Sequence, residues 1–262
     1  MKLRISLGQL DINFGNPESN EEKIVQWTAE AAAQGSDLVL FPELWSTGYD
    51  LENCQRHAVQ LGKGIFSRCA ELALKHHIYF GGSLLEKDGP DVYNTFVLYR
   101  PDGELLGAYR KIHLFCPMDE DKWLCAGDRL VIADTAWGRA GLSICYDLRF
   151  PEVFRHFALN GANLALIPAE WPAARLEHWH TLLRARAIEN QIFVIATNRT
   201  GNSPTEKFGG FSAIIDPWGD TLLEANQDEG LFSAVIDLDD VYRIRERIPI
   251  IKDRRPDIYG EF

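Results

Sequence analysis

Three apolar segments of the sequence run out into side chains that can do chemistry. In Leu38-Val39-Leu40-Phe41-Pro42-Glu43 a carboxylate follows an unbroken apolar strand and a proline. A carboxyl group at the rim of a core loses solvation, which raises its pKa toward that of a general base. A helix-capping or surface glutamate would fit this segment equally well. In Gly107-Ala108-Tyr109-Arg110-Lys111-Ile112-His113-Leu114-Phe115 a lysine stands among apolar and aromatic residues, where it can hold a positive charge against an oxyanion. Alone it reads as an exposed strand-end lysine. In Leu142-Ser143-Ile144-Cys145-Tyr146-Asp147 a cysteine occupies a strand-to-helix turn, and Pro151-Glu152 opens the next helix. The positive end of a helix dipole at such a turn favours the thiolate. Most lone cysteines are inert core residues, and the other four here are read that way.

Short apolar strands alternate with amphipathic helices to hold these side chains. Strands are expected at Leu3 to Leu10, Asp37 to Phe41, Ile78 to Ser83, Leu164 to Ile167, Phe193 to Thr197, Ala213 to Ile215, Thr221 to Glu224 and Leu231 to Ile236. Tyr93 to Tyr99 and Leu105 to Tyr109 form a hairpin across Pro101-Asp102-Gly103. Arg129 to Asp134 and Gly141 to Cys145 form a second pair across Ala136-Trp137-Gly138. Ser19-Asn20-Glu21-Glu22 reads as a capping box opening a helix through Ile24, Trp27 and Ala31, closed by Gly35. Further helices are expected at Ile65 to His77, Val153 to Leu159 and Leu176 to Asn190, the last with Leu182, Leu183, Ala187 and Ile188 on its apolar face.

Mixed hairpins and crossover helices imply an α/β protein of two packed sheets with helices outside, rather than one parallel sheet. No linker or repeat divides the chain, so residues 1–262 read as a single domain. The tail, Arg243 to Phe262, is too charged and proline-interrupted for the core and is expected at a subunit interface.

Composition narrows the partners. The 262 residues are 46% hydrophobic and 25% charged, which excludes disorder and fibrous repeats. The 38 acidic against 27 basic side chains give −11, a charge that repels nucleic acid and anionic membranes. Five cysteines without dense spacing suit a reducing cytoplasm rather than a secreted disulfide scaffold. No apolar run approaches the roughly 18 residues of a membrane helix, and the start, Met1-Lys2-Leu3-Arg4-Ile5-Ser6, has no signal-peptide core. A soluble, cytoplasmic protein is expected.

Several motifs imitate sites. Gly62-Lys63-Gly64 follows no strand and lacks the third glycine of a dinucleotide loop. His113, Cys116 and Cys125 lack a fourth zinc ligand, so packing and hydrogen bonding explain them better. Gly141-Leu142-Ser143-Ile144-Cys145 has cysteine where a nucleophile elbow has glycine. His178 and His180 lie two apart and face different ways on a helix, so no metal is expected.

Taken together, Phe-Pro-Glu43, Tyr-Arg-Lys111-Ile-His-Leu-Phe and Cys145-Tyr-Asp-Leu-Arg-Phe-Pro-Glu resemble the nitrilase superfamily of carbon–nitrogen hydrolases. The resemblance extends through Trp171-Pro172, His178-Trp179, Arg184 to Gln191, Asp216-Pro217-Trp218-Gly219 and the stretch from Ile248-Pro249 to Tyr259. It implies an α-β-β-α sandwich that pairs with a second copy, with Glu43 as general base, Lys111 as oxyanion stabiliser and Cys145 as nucleophile. The backbone N–H of Tyr146 would complete the oxyanion hole, and no metal or organic cofactor is implied. Glu120 occupies the place of a second pocket glutamate, ahead of Asp119; an exposed acidic loop is the alternative.

Within the superfamily, the Trp-Pro, His-Trp and Ala-Arg-Ala-Ile-Glu-Asn-Gln run looks most like the omega-amidase group, which deamidates 2-oxo acid amides such as 2-oxoglutaramate. Such substrates carry a carboxylate. Arg149 lies where related carbamoyl hydrolases place a carboxylate-binding arginine, although a salt bridge with Asp147 or Glu152 would explain it as well. Arg175 is a second candidate; it precedes a helix, and facing solvent is the alternative. Tyr49 is expected to wall the substrate slot. Glu170, where relatives commonly carry asparagine, is a departure: it either pairs with an arginine or marks a different substrate. The alternatives are an N-carbamoyl amino-acid hydrolase or a nitrile hydrolase using the same residues, and a catalytically silent binding subunit, against which the three intact positions argue.

Overall fold

Two of the expected strands, Leu38–Leu40 and Ala162–Ala169, are buried along their whole length, as parallel strands covered on both faces must be. The computed structural model describes residues 1–260; Glu261 and Phe262, the end of the predicted tail, lie outside the described residues. In chain order the strands are β1 (Lys2–Gln9), β2 (Leu38–Leu40), β3 (Tyr79–Asp88), β4 (Asp91–Tyr99), β5 (Leu105–Arg110), β6 (Val131–Thr135), β7 (Gly138–Leu142), β8 (Ala162–Ala169), β9 (Phe193–Asn198), β10 (Thr200–Asn202), β11 (Lys207–Gly209), β12 (Ala213–Ile215), β13 (Thr221–Glu224) and β14 (Gly230–Asp237). The helices are α1 (Pro17–Ala33), α2 (Cys54–His57), α3 (Ile65–His76), α4 (Glu120–Trp123), α5 (Pro151–Leu159), α6 (Leu176–Asn190), α7 (Asp239–Arg247) and α8 (Pro256–Tyr259).

One six-stranded sheet runs β14-β1-β2-β3-β4-β5 and the other β6-β7-β8-β9-β12-β13, while β10 and β11 form a separate ribbon. Followed in those directions, both sheets repeat one pattern of pairings: antiparallel, parallel, parallel, antiparallel, antiparallel. Their inner faces meet in one core, where Ile5, Leu7, Leu40, Phe96 and Leu98 share a cluster with Leu142, Leu164, Leu166 and Ile195. On the first sheet α1 and α3 bury Ile24, Ala31, Phe66, Cys69 and Leu72 against Val39, Phe41, Phe80 and Val97. On the second, α5 and α6 pack over β8 and β9 with Phe154, Phe157, Leu183 and Ala187. The layers are therefore α-β-β-α, as expected.

Local chemistry moved some boundaries. Asn16, not Ser19, caps α1: its Oδ1 accepts from the Ser19 N–H at 3.2 Å. Pro17 then fills the first helical position, where a missing N–H costs no hydrogen bond. The buried stripe of α6 is Trp179, Leu183, Arg186, Ala187 and Asn190, so Ile188 points outward. Arg186 earns its place by donating through Nε to the Leu148 carbonyl at 3.0 Å. α7 and the β10–β11 ribbon were not foreseen. In α7 only Val241 is buried, and the charged residues around it conceal that single anchor. Beyond it, Gln191 Nε2 donates to the Ile248 carbonyl at 2.7 Å, tying the start of the tail to α6. Among the described residues no helix is long and apolar enough to cross a membrane.

The path of β7 depends on a close approach. A Cβ at Gly141 would lie 2.3 Å from Cδ2 of Phe157 in α5. Gly141→Ala is therefore expected to cost about 1–3 kcal/mol through overpacking. Urea unfolding should show it as a lower midpoint with an unchanged slope.

Candidate active site

Five buried charged side chains stand just beyond the ends of strands: Glu43 after β2, Lys111 after β5, Cys145's neighbour Asp147 after β7, Glu170 after β8 and Arg199 after β9. Backbone bonds carry some of them past the strand, as where Lys111 N donates to the Asn94 carbonyl at 2.9 Å.

Glu43, Lys111 and Glu120 are fully buried and form one network. Lys111 Nζ donates to Glu43 Oε1 at 2.8 Å and to Glu120 Oε1 at 2.6 Å. The Tyr49 hydroxyl lies 3.0 Å from Glu43 Oε1 and 2.5 Å from Glu120 Oε1, bridging the two carboxylates. Asn94 Nδ2 donates to Glu43 Oε1 at 2.8 Å, and the Glu170 backbone N–H to Glu43 Oε2 at 2.9 Å. The Phe115 N–H donates to Glu120 Oε2 at 2.7 Å. The loop reading of this region fits Asp119 instead, whose exposed carboxylate pairs with Lys122.

Burial alone would lower the pKa of the Lys111 ammonium, but Glu120 and Glu43 outweigh it and raise it. Burial, reinforced by Glu120 and Glu43, holds the Tyr49 phenol well above its usual range. Cys145 reverses the thiolate expectation. Burial first and Glu43 second push its thiol well above the usual value, with Lys111 opposing. The turn after β7 is a single 3-10 turn, Cys145–Arg149, too short to offer a strong dipole. Burial and Glu43 both favour the protonated sulfur over the thiolate.

The turn itself differs from the expected strand. β7 stops at Leu142, and Cys145 takes φ +43°, a left-handed conformation that costs a β-carbon residue on the order of 1–3 kcal/mol. Asp147, fully buried, holds it in place. Its Oδ2 accepts from the Ile144 N–H at 2.8 Å and the Tyr109 hydroxyl at 2.7 Å, while His113 Nδ1 lies 2.7 Å from Oδ1. His113 also stacks on Phe150, at 3.6 Å between ring centres.

Cys145 opens into a cleft of about 270 Å³, counting its mouth, lined by all five expected substrate contacts: Tyr49, Tyr146, Arg149, Glu170 and Arg175. Phe115, Trp171 and Pro172 complete the walls. The Arg149 guanidinium lies over the Trp171 ring at 4.7 Å, with both Nη atoms 3.3 Å from His178 Nδ1. Arg175 lies over Phe115 at 5.3 Å, facing the cleft rather than solvent. Among the described residues no carboxylate pairs with either arginine, so the alternative salt bridge from Arg149 to Asp147 or Glu152 is not formed.

Glu170 does pair with an arginine. Its Oε2 accepts from Arg199 Nη1 at 2.8 Å, and both side chains are fully buried. Burial raises the Glu170 pKa to about 7 against the opposing pull of Arg199. Arg199, Asn94 and Asp147 were missed as site residues. Arg199 carried a usable signal, since Phe193-Val194-Ile195-Ala196-Thr197 also runs out into polar residues, Asn198-Arg199.

The carbon-nitrogen hydrolase family model matches residues 4–246. A 2-oxoglutaramate amidase of Bacillus subtilis (strain 168) is 43% identical over 99% of this chain and 100% of its own. A CN-hydrolase superfamily protein of Xanthomonas campestris, solved with an arsenic adduct in its active site, superposes with a TM-score of 0.92 at 32% identity, covering 97% of this chain and 98% of that one. A variant amidase of Nesterenkonia sp. AN1, bearing the acetamide moiety of fluoroacetamide covalently on its active-site cysteine, superposes with a TM-score of 0.87 at 29% identity, covering 98% and 95%. With the family pattern running through nearly the whole chain and the same fold beneath it, the chain belongs to the carbon–nitrogen hydrolase family.

Proposed function

We propose that the protein is an omega-amidase that hydrolyses the terminal amide of a small carboxylate-bearing acid, 2-oxoglutaramate or a close analogue, through a thioester on Cys145. The observation that carries this reading is a buried cysteine beside the Glu43–Lys111–Glu120 network, at a cleft walled by two arginines without carboxylate partners among the described residues. The likeness to a 2-oxoglutaramate amidase supports the choice of substrate.

In this mechanism Glu43 takes the Cys145 proton as sulfur attacks the amide carbon, so no standing thiolate is needed. The oxyanion that forms is met by the Tyr146 backbone N–H and by Lys111. Two N–H bonds of Lys111 are committed to Glu43 and Glu120, and the third points toward the Tyr49 oxygen at 3.4 Å. That long bond is the one free to turn to the oxyanion. A lost donor of this kind costs roughly 3–4 kcal/mol of transition-state stabilisation. Glu43 next gives its proton to the leaving nitrogen, releasing ammonia. It then deprotonates a water that attacks the thioester; the carboxylic acid leaves and the thiol is restored. Glu120 keeps Lys111 charged and fixed, and Tyr49 positions both carboxylates. Arg149 and Arg175 hold the substrate carboxylate. These steps call on no metal or organic cofactor.

The same reading makes residues 1–262 one domain acting in the cytoplasm as a homodimer, with the tail from Arg243 at the subunit contact. Exposed Ile188, Ile248 and Ile258 fit a face covered by a second copy. A carbamoyl hydrolase would release carbon dioxide with ammonia, a nitrile hydrolase would turn over nitriles, and a silent binding subunit would do neither.

Three outcomes test this reading. Cys145→Ala should abolish ammonia release from 2-oxoglutaramate with the melting temperature preserved; retained turnover would exclude the thioester. In a panel of ω-amides, carbamoyl amino acids and nitriles, the ω-amides should give the highest kcat/KM. Tyr49→Phe should lower kcat by about 10- to 100-fold with little change in KM, since it removes a hydrogen bond to charged groups worth about 1.5–3 kcal/mol. Unchanged kcat would free Tyr49 of that role.

A further inference from the structure

One oxygen of Glu170 is unexplained by the mechanism. Oε2 is held by Arg199, but Oε1 is buried without a hydrogen-bond partner among the described residues, on a residue that lines the cleft beside Cys145. A buried acceptor left unmade costs about 1–3 kcal/mol, so an orphan in a ligand cleft points at a ligand. Its partner Arg199 is also unusual. The guanidinium is fully buried, and apart from Glu170 its Nη2 and Nε donate to the backbone carbonyls of Ile12, Asn202 and Thr200. Half-exposed Asp11 lies at 4.0 Å. The positive charge of Arg199 is thus fixed in position and, among the described residues, cancelled by one carboxylate alone within hydrogen-bond distance.

We propose that the Glu170–Arg199 pair is a proton-gated anion site: Glu170 takes up one proton as an anionic substrate enters, which releases the charge of Arg199 to balance the substrate carboxylate. This rests on the reading that the substrate is an anionic amide. With the proton on Oε1, Oε2 still accepts from Arg199, while the new O–H is a donor available to a carboxylate bound in the cleft that Glu170 lines. An acid hydroxyl facing a carboxylate makes a short, charge-assisted hydrogen bond. Left ionised, the same oxygen would face the substrate as a like charge in a poorly solvated pocket.

The surrounding charges permit this. Glu170 is faced by Glu43 and Lys111 from the two strand ends across the site, by Tyr49 and Cys145, and by the half-buried Arg149 and Arg175 across the cleft. Glu43 and Lys111 oppose each other in their effect on Glu170. Burial already brings the empty-state pKa to about 7, and an anion alongside raises it further. By linkage, an anion that raises this pKa binds with proton uptake.

The test uses the full-length Cys145→Ala protein, which binds without turnover. Succinamate, an anionic ω-amide, is titrated calorimetrically in buffers of different ionisation enthalpy, with neutral butyramide as control. Succinamate should bind with uptake of about half a proton at pH 7, rising toward one at pH 8, and butyramide with none. Adding Glu170→Gln, which cannot titrate, should remove the uptake. Equal uptake with and without Glu170→Gln, no uptake in the Glu170 protein, or no succinamate binding at pH 6, overturns the gate. Should the Gln variant fold poorly, wild-type kinetics decide: above pH 8 the KM for succinamate should rise about tenfold per pH unit while that for butyramide stays flat. Parallel profiles overturn the proposal. Wild-type turnover confined to neutral amides would instead remove the anionic-substrate reading, a separate result read from ammonia release.

Discussion

Everything at the centre of this protein depends on keeping charges out of water. Glu43, Glu120 and Glu170 face Lys111 and Arg199, all fully buried or nearly so. An uncompensated buried ion is so costly that removing one partner of such a pair typically destabilises by 3–5 kcal/mol. The site survives because its charges are shared, Glu170 excepted, which holds to Arg199 through one oxygen. Lys111 is shared by two carboxylates, and Glu43 accepts from Lys111, Asn94, Tyr49 and the Glu170 backbone. That sharing has a consequence for the chemistry. A lysine held between two carboxylates stays an ammonium, and a thiol placed beside one of them stays a thiol. In the proposed mechanism the nucleophile is therefore made when it is used, with Glu43 as its base.

The two sheets explain how such a cluster can be assembled. Both follow the same order of pairings, and in each the third strand ends in a glutamate: β2 leads to Glu43 and β8 to Glu170. The two residues are joined directly, Glu170 N donating to Glu43 Oε2. Equivalent positions in the two halves thus meet across the sandwich. The pairing patterns match, but the partners do not. Glu43 is tied to a lysine that also touches Glu120, whereas Glu170 is tied to an arginine that is otherwise bound only to carbonyls and, at a distance, Asp11. Such different surroundings can give two carboxyl groups of one pocket different protonation behaviour, which is how paired acids divide labour.

The sequence was most legible where one segment carries the whole signal. The β8 and β2 runs, the β4–β5 hairpin and α6 follow from apolar runs, turn residues and length. Glu43, Lys111 and Cys145 stand out because each ends an apolar run. What no segment could reveal is convergence, since Lys111 and Glu43 lie on strands that are not neighbours in the sheet. Asn94 was hidden because its importance lies in what it satisfies, a carboxylate oxygen of Glu43. Ile188 was misplaced because α6 buries Arg186 and Asn190, polar residues satisfied by backbone carbonyls, on its inner face. The thiolate expectation failed for a related reason: dipole arguments see the turn, whereas desolvation depends on the walls supplied from elsewhere.

The overall charge of −11 poses the remaining physical question, how an acidic chain accommodates an anion. Long-range repulsion between exposed charges is screened within about a Debye length, roughly 8 Å at physiological salt. Charges within the cleft are screened much less, so the local count matters more than the total. Three carboxylates against Lys111 and Arg199 leave that inner cluster one negative charge when all are ionised. A single proton on Glu170 brings it to neutrality without moving any side chain, and leaves the two cleft arginines, Arg149 and Arg175, as an unopposed excess of positive charge. Glu170 is the acid whose second oxygen is free to take that proton, because both oxygens of Glu43 and of Glu120 are already occupied by donors. The glutamate at this position is then a means of setting the sign of the pocket by protonation.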